Sequence, residues 1–290
     1  MKIVFIGTGI LGSAIVKKLL NHGLYINVYN RSLYKAEALS QYGANVCSNV
    51  DHLLHDSQVI FFCLSNEVPI DTLLEKNFTQ GNLLNKTIID LSTASPDYAK
   101  DTASKVNLMH AQYIECPVSG GATGALNGSL TAICAGDGKI IDAHKAILKY
   151  FCKHIHYAGG YGNAQQLKII NNLAESINMI CAAEMVTIAR NLGFNIDIIR
   201  NVLTTARGKS DYMTILLDNI YSDDKNIAVT LDVRLKDLNL GMRLMQNAGI
   251  TPIFSDYANM LFTETLNIYG KHADQSKCLE IVKNKMLLGD

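Results

Sequence analysis

A glycine-rich turn near the N-terminus constrains the fold of this chain more than any other stretch. A short apolar run at residues 2–6 leads into Gly7, Gly9 and Gly12, and an amphipathic helical pattern and a second apolar run at residues 25–29 follow. In the order strand, glycine turn, helix, strand, such glycines permit a tight turn and a close approach of a pyrophosphate to the backbone. The helix N-terminus offers N–H groups to the phosphates. The sequence therefore predicts a dinucleotide site.

The residues after the second apolar run indicate which dinucleotide is preferred. A site for NAD(H) places Asp or Glu here to bind the ribose 2′-hydroxyl. This chain has Asn30, Arg31 and Ser32, and no carboxylate until Glu37. Arg31 can pair with a 2′-phosphate, so we expect NADP(H) to be preferred over NAD(H); the alternative is that Arg31 is a solvated surface charge. The predicted cofactor contacts in this region are Gly7, Thr8, Gly9, Ile10, Leu11, Gly12, Asn30, Arg31 and Ser32.

Charge and composition narrow the class of protein. Among 290 residues, 26 basic and 26 acidic side chains give zero formal net charge, so neither nucleic acid nor an anionic membrane is an expected partner. No apolar run reaches the roughly 18 residues that span a bilayer, and the chain starts directly with a strand. Seven scattered cysteines without a CxxC pair indicate a reduced, cytoplasmic protein with no metal site.

Apolar runs alternate with helical patterns through the first half of the chain. Strands are expected at residues 58–64, 86–91, 110–115, 130–135 and 154–157, with helices at 34–42, 49–55 and 140–151 and a helix that starts at Pro96 with Ser95 as its N-cap. This alternation predicts a doubly wound, mainly parallel sheet. The ends of the strands carry the next candidates. These are Leu64 and Ser65, Thr93, and the turn Ser119, Gly120 and Gly121, whose backbone N–H groups beside a hydroxyl could hold a carboxylate.

The pattern becomes purely helical after residue 162. One segment without Pro or Gly covers residues 163–192 and predicts a helix of about 45 Å that bridges domains or subunits. Further helices are expected at residues 197–204, 212–219, 231–247, 254–269 and from 274 or 275 to 287. We therefore predict an α/β domain at residues 1–161 and an all-α domain at 162–290, joined by the long helix.

Two polar residues near the start of the long helix are candidates for chemistry. Lys168 and Asn172 stand four residues apart and share one helix face. A lysine beside a nicotinamide site can donate a proton to a carbonyl oxygen as hydride arrives, or hold the developing alkoxide. Asn172 could orient Lys168 or bind the substrate. For Lys168 the ordinary alternative is a solvated lysine on the helix surface.

Together these motifs resemble the β-hydroxyacid dehydrogenase family over the whole chain. The turn at residues 7–12 is similar to the family's cofactor loop, and residues 116–121 (CPVSGG) to its substrate motif. The stretch from Gly162 to Asn172 is similar to its catalytic segment, with Lys168 as general acid/base. The segment 234–238 (RLKDL) resembles a later motif, and the resemblance assigns Lys236 to the cofactor. Leu64, Ser65 and Thr93 match positions that touch its nicotinamide half.

The chain resembles one branch of this family more than the others, and it departs from the family's usual residues at three positions. Residues 30–32 (NRS) resemble the NADPH-preferring glyoxylate and succinic semialdehyde reductases. Ala164 stands where the family commonly has a second glycine, Glu115 stands where Asp is common, and Val229 stands where those reductases carry Phe. Because Val gives the pocket wall a different shape, the substrate within this branch stays open.

The resemblance implies a Rossmann-type fold and an NADPH-dependent reductase of a short carbonyl acid, whose carboxylate is held by Ser119, Gly120, Gly121 and Asn172. It also implies a homodimer or homotetramer. Two alternatives remain at this point. An imine reductase shares the architecture but usually has Asp or Tyr at the position of Lys168, and a dinucleotide-binding interaction protein of the chromatin-associated kind has lost the lysine.

Overall fold

The computed structural model describes residues 2–55, 57–221 and 227–287, and the chain divides into two compact units. The first unit is Met1–Lys168 and the second is Ile169–Asp290. This division falls inside the helix Asn163–Asn191, whereas the sequence places a domain boundary just before it. Residues 1 and 56 of the predicted first domain, and residues 222–226 and 288–290 of the second, lie outside the described residues.

The first unit is built on a parallel sheet. Within its described residues, six strands pair in the order β3-β2-β1-β4-β5-β6, and every pairing is parallel. The order reverses between β1 and β4, so the carboxyl ends of the strands form a crevice at this switch point. The strands are β1 (Ile3–Ile6), β2 (Ile26–Tyr29), β3 (Asn45–Val46), β4 (Val59–Phe62), β5 (Thr87–Asp90) and β6 (Gln112–Glu115).

Helices cover both faces of this sheet. Ile3 and Phe5 pack into one hydrophobic cluster and Val4 and Ile6 into another, because successive side chains of a strand point to opposite faces. The doubly wound Rossmann-type fold expected from the sequence is therefore confirmed. The helices of this unit are α1 (Ile10–Asn21), α2 (Leu33–Glu37), α3 (Val50–His55), α4 (Glu67–Lys76), α5 (Gln80–Leu83), α6 (Pro96–Leu108), α7 (Gly121–Asn127) and α8 (Gly138–Leu148).

A second, smaller sheet corrects one expectation. The two strands predicted after β6 exist as β8 (Leu130–Cys134) and β9 (Cys152–Tyr157), but they do not extend the parallel sheet. They form a separate sheet with β7 (Val118–Ser119), a short strand that the sequence did not predict. Glu115 at the end of β6 exchanges both backbone hydrogen bonds with Ala135, at 3.1 and 2.8 Å, in an antiparallel bridge. Because the chain after β8 runs against β6 at this point, β8 cannot continue the parallel order.

The helix predicted over residues 34–42 is also shorter than expected. Helix α2 ends at Glu37, and a separate 3-10 turn covers Ser40–Tyr42. The Ser40 hydroxyl donates to the Glu37 carbonyl at 2.7 Å, and Gln41 donates from its side chain to the Ala38 carbonyl at 3.0 Å. These local side-chain bonds compete with helix continuation.

The second unit is helical, as expected. In its described part the backbone forms helices and turns, with an isolated bridge between Thr230 and Asp274. The last predicted helix is divided, because the Asp274 side chain caps a 3-10 turn at Gln275–Lys277 before the final helix starts. No described helix combines the length and the apolar character that a membrane crossing requires. The helices are α9 (Asn163–Asn191), which begins in the first unit, α10 (Ile196–Thr205), α11 (Asp211–Tyr221), α12 (Leu231–Asn247), α13 (Phe254–Tyr269) and α14 (Cys278–Met286).

Candidate active site

The glycine turn between β1 and α1 is held by close backbone packing. Gly7 has a φ of +101°, and a Cβ on it would lie 2.2 Å from the carbonyl oxygen of Cys63. A Cβ on Gly12 would lie 2.0 Å from the carbonyl oxygen of Gly7. Both positions therefore exclude any side chain, as the fingerprint requires.

Gly9 differs from these two glycines because nothing lies within 4 Å of where its Cβ would be. It is the N-cap of α1 and makes no side-chain cap bond, and the first turn of α1 carries no acidic residue. The backbone N–H groups of this turn, which includes Ile10 and Leu11, therefore receive no negatively charged partner from α1 itself. Thr8 adds a buried hydroxyl without a hydrogen-bond partner among the described residues. An open glycine, an uncapped helix start and an orphaned donor fit the pyrophosphate of a dinucleotide.

The segment after β2 is tied back to the glycine turn. The backbone N–H of Thr8 donates to Asn30 Oδ1 at 3.1 Å, and Asn30 Nδ2 donates to the Ser32 carbonyl at 3.0 Å. Arg31 is exposed, and Ser32 begins α2 without using its hydroxyl as a cap. Asn30 thus holds the segment that carries Arg31 and Ser32 against the glycine turn.

The ends of β4 and β5 are joined in the same crevice. The backbone N–H of Leu64 donates to the Ser92 hydroxyl at 3.0 Å, and the N–H of Ser92 donates to Asp90 Oδ1 at 2.9 Å. Ser65 follows Leu64 and is exposed, and Thr93 follows Ser92 and is half-buried. The candidates for the nicotinamide half therefore sit on one hydrogen-bonded edge of the sheet.

The candidate carboxylate cradle follows β7. Gly120 has a φ of +123° and Gly121 a φ of +61°, and α7 starts directly after them. A Cβ on Gly120 would lie 2.9 Å from the Leu130 side chain, whereas nothing lies within 4 Å of a Cβ position on Gly121. Ser119 is half-buried at the end of the strand. The turn thus presents backbone beside a hydroxyl, in a form that only glycine adopts readily.

Lys168 lies on the first turns of α9 and is 6% exposed, so its amine does not face bulk water. Three residues earlier, the backbone N–H of Gln165 donates to Glu115 Oε1 at 2.5 Å. Gly162, which precedes the helix with a φ of +92°, donates its N–H to Glu115 Oε2 at 2.6 Å. The start of the helix that carries Lys168 is therefore bonded to the end of β6. Ala164, at the position of the family's second glycine, is buried within this turn.

Asn172 and Lys236 belong to the second unit and share one acidic partner there. Asn172 Nδ2 donates to Asp237 Oδ2 at 2.8 Å, and Lys236 Nζ lies 3.1 Å from Asp237 Oδ1. Asn172 is 2% exposed. Asp237 thus fixes the orientation of the Asn172 amide. The roles of Lys168, Asn172 and Lys236 in catalysis or binding remain predictions.

A buried arginine stabilises the same region of the second unit. Arg234 is 2% exposed and lies 3.1 Å from the Glu175 carboxylate, and it also donates to Tyr212 and Gln275 at 2.8 and 2.7 Å. Burial and the adjacent carboxylate raise the pKa of Tyr212. Arg234 and Asp237 both belong to the segment 234–238 that resembles a family motif, but the resemblance assigns neither of them a role. The polar pattern of residues 234–237 was the available signal.

Glu115 and Gln165 are two further polar residues of this region, and the sequence alone predicts a site role for neither. Both side chains are fully buried, which is unusual for a charged and an amide residue unless they are hydrogen-bonded.

In the described residues, no group of three or more His, Cys, Asp and Glu side chains could hold a metal ion.

Comparisons with known proteins agree with this geometry. The family model described as "NAD binding domain of 6-phosphogluconate dehydrogenase" matches residues 2–159, and the model described as "NAD-binding of NADP-dependent 3-hydroxyisobutyrate dehydrogenase" matches residues 162–282. A solved structure, Psf3 in complex with NADP+ and 2-OPP, superposes with a TM-score of 0.91 at 33% identity, and covers 97% of this chain and 99% of that one. The chain belongs to the β-hydroxyacid dehydrogenase family.

Two curated members of the family show the range of similarity. The 2-hydroxy-3-oxopropionate reductase of Escherichia coli (strain K12) is 26% identical over 292 residues, which is 99% of this chain and 100% of that enzyme. The mitochondrial 3-hydroxyisobutyrate dehydrogenase of Drosophila melanogaster is 29% identical over 205 residues, which is 71% of this chain and 63% of that relative. The family and the Rossmann-type fold expected from the sequence are confirmed, and the activity is that of an NAD(P)-dependent dehydrogenase.

Proposed function

We propose that this member of the β-hydroxyacid dehydrogenase family is an NADPH-dependent reductase. It interconverts a short semialdehyde or 2-oxo acid and the corresponding hydroxy acid, with Lys168 as general acid/base. The observation that carries the proposal is the placement of a buried lysine on a helix whose first turn is hydrogen-bonded to the end of β6. That strand leads directly into the Ser119–Gly121 turn.

Each predicted residue has a part in this reaction. The turn at residues 7–12 binds the pyrophosphate, and Arg31 and Ser32 bind the 2′-phosphate. Leu64, Ser65, Thr93 and Lys236 contact the rest of the cofactor. The substrate carboxylate is held by Ser119, Gly120, Gly121 and Asn172. When bound, NADPH supplies the hydride that the carbonyl carbon accepts. Lys168 gives its proton to the carbonyl oxygen, which completes the hydroxyl group.

The test of the reaction is a substrate panel with a lysine variant. NADPH oxidation is followed with glyoxylate, succinic semialdehyde, tartronate semialdehyde and methylmalonate semialdehyde. We expect turnover of one or more of them, and a fall of about 10²–10⁴-fold in kcat for Lys168→Ala, the usual worth of a general acid. Lys153→Ala, which removes an exposed lysine of β9, is the matched control. Wild-type turnover by Lys168→Ala would show that this mechanism is wrong.

The cofactor preference depends on Arg31. For Arg31→Ala we expect the KM for NADPH to rise about tenfold, since an exposed charge-assisted contact to the 2′-phosphate is lost. The KM for NADH should stay unchanged, because NADH has no 2′-phosphate. Arg190→Ala removes an exposed arginine of α9 and serves as the control. An unchanged KM for NADPH, with NADH used equally well, would mean that Arg31 is only a surface charge.

We also propose that the enzyme is a homodimer or homotetramer. The second-unit part of α9 exposes apolar side chains at helical spacing, including Ile170 (54% exposed), Met185 (36%) and Ile188 (40%). An apolar stripe of this kind is covered in a stable protein, and a second copy of the chain is the occupant that the resemblance implies. Sedimentation velocity should give two or four times the chain mass of 31.8 kDa. A single-chain mass at micromolar concentration would contradict the proposal.

A further inference from the structure

The start of α9 is capped by a side chain from a distant part of the chain. Glu115 is fully buried, and each of its carboxylate oxygens accepts one backbone N–H, from Gly162 at 2.6 Å and from Gln165 at 2.5 Å. An anion at a helix N-terminus satisfies donors that have no partner within the helix and interacts favourably with the helix dipole. Because the two bonds span the first turn, they fix both its position and its rotation.

Gln165 extends this connection to the end of β5. Its Oε1 accepts the backbone N–H of Ala94 at 3.1 Å, and its Nε2 donates to the carbonyl of Ser92 at 3.0 Å. These bonds hold the backbone on both sides of Thr93. One residue of α9 therefore joins the helix to the loop that carries the predicted nicotinamide contact, while its own N–H joins the helix to β6.

The length of Glu115 matters for this geometry. Both hydrogen bonds are already short, and replacement by aspartate would withdraw the carboxylate by one carbon–carbon bond, about 1.5 Å. The glutamate, which departs from the aspartate common in the family, fits this helix start.

We propose that Glu115 and Gln165 are positioning residues, which hold the first turn of α9, and with it Lys168, at the ends of β5 and β6. The proposal rests on the proposed function, because the placement of Lys168 affects catalysis only if Lys168 transfers the proton. Neither side chain is assigned a contact with the substrate. Glu115 acts through the helix, and Gln165 acts through the helix and through the Thr93 loop. Their loss should change turnover more than cofactor affinity, because the proposed phosphate contacts lie elsewhere, at residues 7–12 and 31–32.

The charge of Glu115 is set by several neighbours. Burial raises the pKa of Glu115 to about 6, and the Asp90 carboxylate acts in the same direction. The N–H groups of Gly162 and Gln165, together with Lys100 on α6, act in the opposite direction. Tyr113 on β6, Tyr161 before α9 and Cys134 on β8 also interact electrostatically with the glutamate. Above a pH of about 6 the carboxylate is ionised and accepts both N–H groups.

The experiment uses the full chain and two pairs of matched variants. Glu115→Gln keeps the shape but points an amide N–H₂ at one of the two helix donors, and Glu75→Gln changes an exposed glutamate of α4 as its control. Gln165→Ala removes the clamp on the Thr93 loop, and Gln166→Ala removes the exposed neighbouring glutamine. Glu115→Asp is the conservative variant. The kcat and the KM for NADPH are measured with the panel acid that the wild type reduces fastest.

We expect Glu115→Gln and Gln165→Ala to lower kcat at least tenfold, while the KM for NADPH changes less than threefold. Glu115→Asp should lie between Glu115→Gln and the wild type, and the two controls should match the wild type. In the wild type kcat should fall below a pH of about 6, and this acid limb should be missing in Glu115→Gln. Without any cofactor, backbone hydrogen exchange in residues 160–168 should accelerate in Glu115→Gln at least tenfold, and exchange in residues 10–21 should not change.

Three results would overturn the proposal. They are wild-type kcat in both Glu115→Gln and Gln165→Ala, a parallel change of kcat and KM with faster exchange throughout the first unit, and unchanged exchange at residues 160–168. Should Glu115→Gln fail to fold, Gln165→Ala decides by the same measurements. If Lys168→Ala keeps wild-type turnover, the proposed function fails instead, and the exchange data alone decide whether Glu115 fixes the helix start.

Discussion

Two helices that begin in the first unit, α1 and α9, satisfy the N–H groups of their first turns in opposite ways. Helix α1 begins at Gly9 with no side-chain cap, no acidic residue in its first turn and open space beside the glycine. Helix α9 begins with a buried carboxylate, supplied by Glu115 from 47 residues earlier in the chain. Both starts use the same physics, the attraction of N–H groups for an anion. The difference teaches which of the two starts is open to an anionic ligand: at α9 the chain supplies the anion itself, whereas at α1 it does not.

The largest expected effect is on stability, and it should follow from adding a side chain at Gly12, on the closely packed side of the α1 N-terminus. In Gly12→Ala the new Cβ would meet the Gly7 carbonyl oxygen at 2.0 Å, a backbone atom that cannot move aside. We expect a loss of about 3 kcal/mol or more in the free energy of unfolding, measured by urea denaturation. Gly138→Ala in α8, where the new Cβ has only ordinary contacts, should be nearly neutral. Equal stability of Gly12→Ala and wild type would contradict the packing described for this turn.

A smaller effect, on cofactor binding and not on folding, should follow from adding a methyl group at Gly9, where the α1 N-terminus is open. In Gly9→Ala the methyl group meets no protein atom within 4 Å. The free energy of unfolding should therefore fall by less than about 1 kcal/mol, the difference between Gly and Ala at an N-cap. The Kd for NADPH, from fluorescence titration, should rise at least tenfold, because the methyl occupies the space of the pyrophosphate. Unchanged affinity for NADPH would show that the cofactor phosphates do not bind at the N-terminus of α1.

A third effect, which appears only in the pH dependence of stability, comes from the buried carboxylate at the start of α9. Because the pKa of Glu115 is raised to about 6 from 4.5, the folded protein binds more protons than the unfolded chain between these values. Its stability therefore falls as pH rises through this window. Relative to Glu115→Gln, wild type should lose about 2 kcal/mol in the free energy of unfolding between pH 4 and pH 7. A difference between the two proteins that does not vary with pH would argue against a costly buried charge.

The same contrast separates what the sequence could predict from what it could not. The glycine turn was predictable because its requirements are local: Gly7 and Gly12 each exclude a side chain within a short segment. The bounds of α12 and α13 were likewise predicted from helical periodicity alone. The Rossmann-type fold followed from the alternation of strands and helices, and the comparisons confirm it.

Long-range contacts were not predictable from these patterns. Nothing local indicates that Glu115 pairs with the start of α9, that Gln165 holds the Thr93 loop, or that Asp237 orients Asn172. The second sheet was missed for a related reason, since strand periodicity gives the existence of β8 but not the antiparallel bridge at Ala135 that directs it. Buried polar residues at such positions have no periodic signature.

The paired left-handed glycines at Gly120 and Gly121 have a consequence for how enzymes of this kind diverge. A carboxylate bound there, as proposed, is recognised mainly by peptide groups, which every amino acid carries alike. Replacement of either glycine can abolish this binding, but substitutions can hardly change its specificity, because the peptide groups stay the same. New substrate preferences must then arise from the side chains that surround the rest of the substrate. The preference for a carboxylic acid is inherited unchanged.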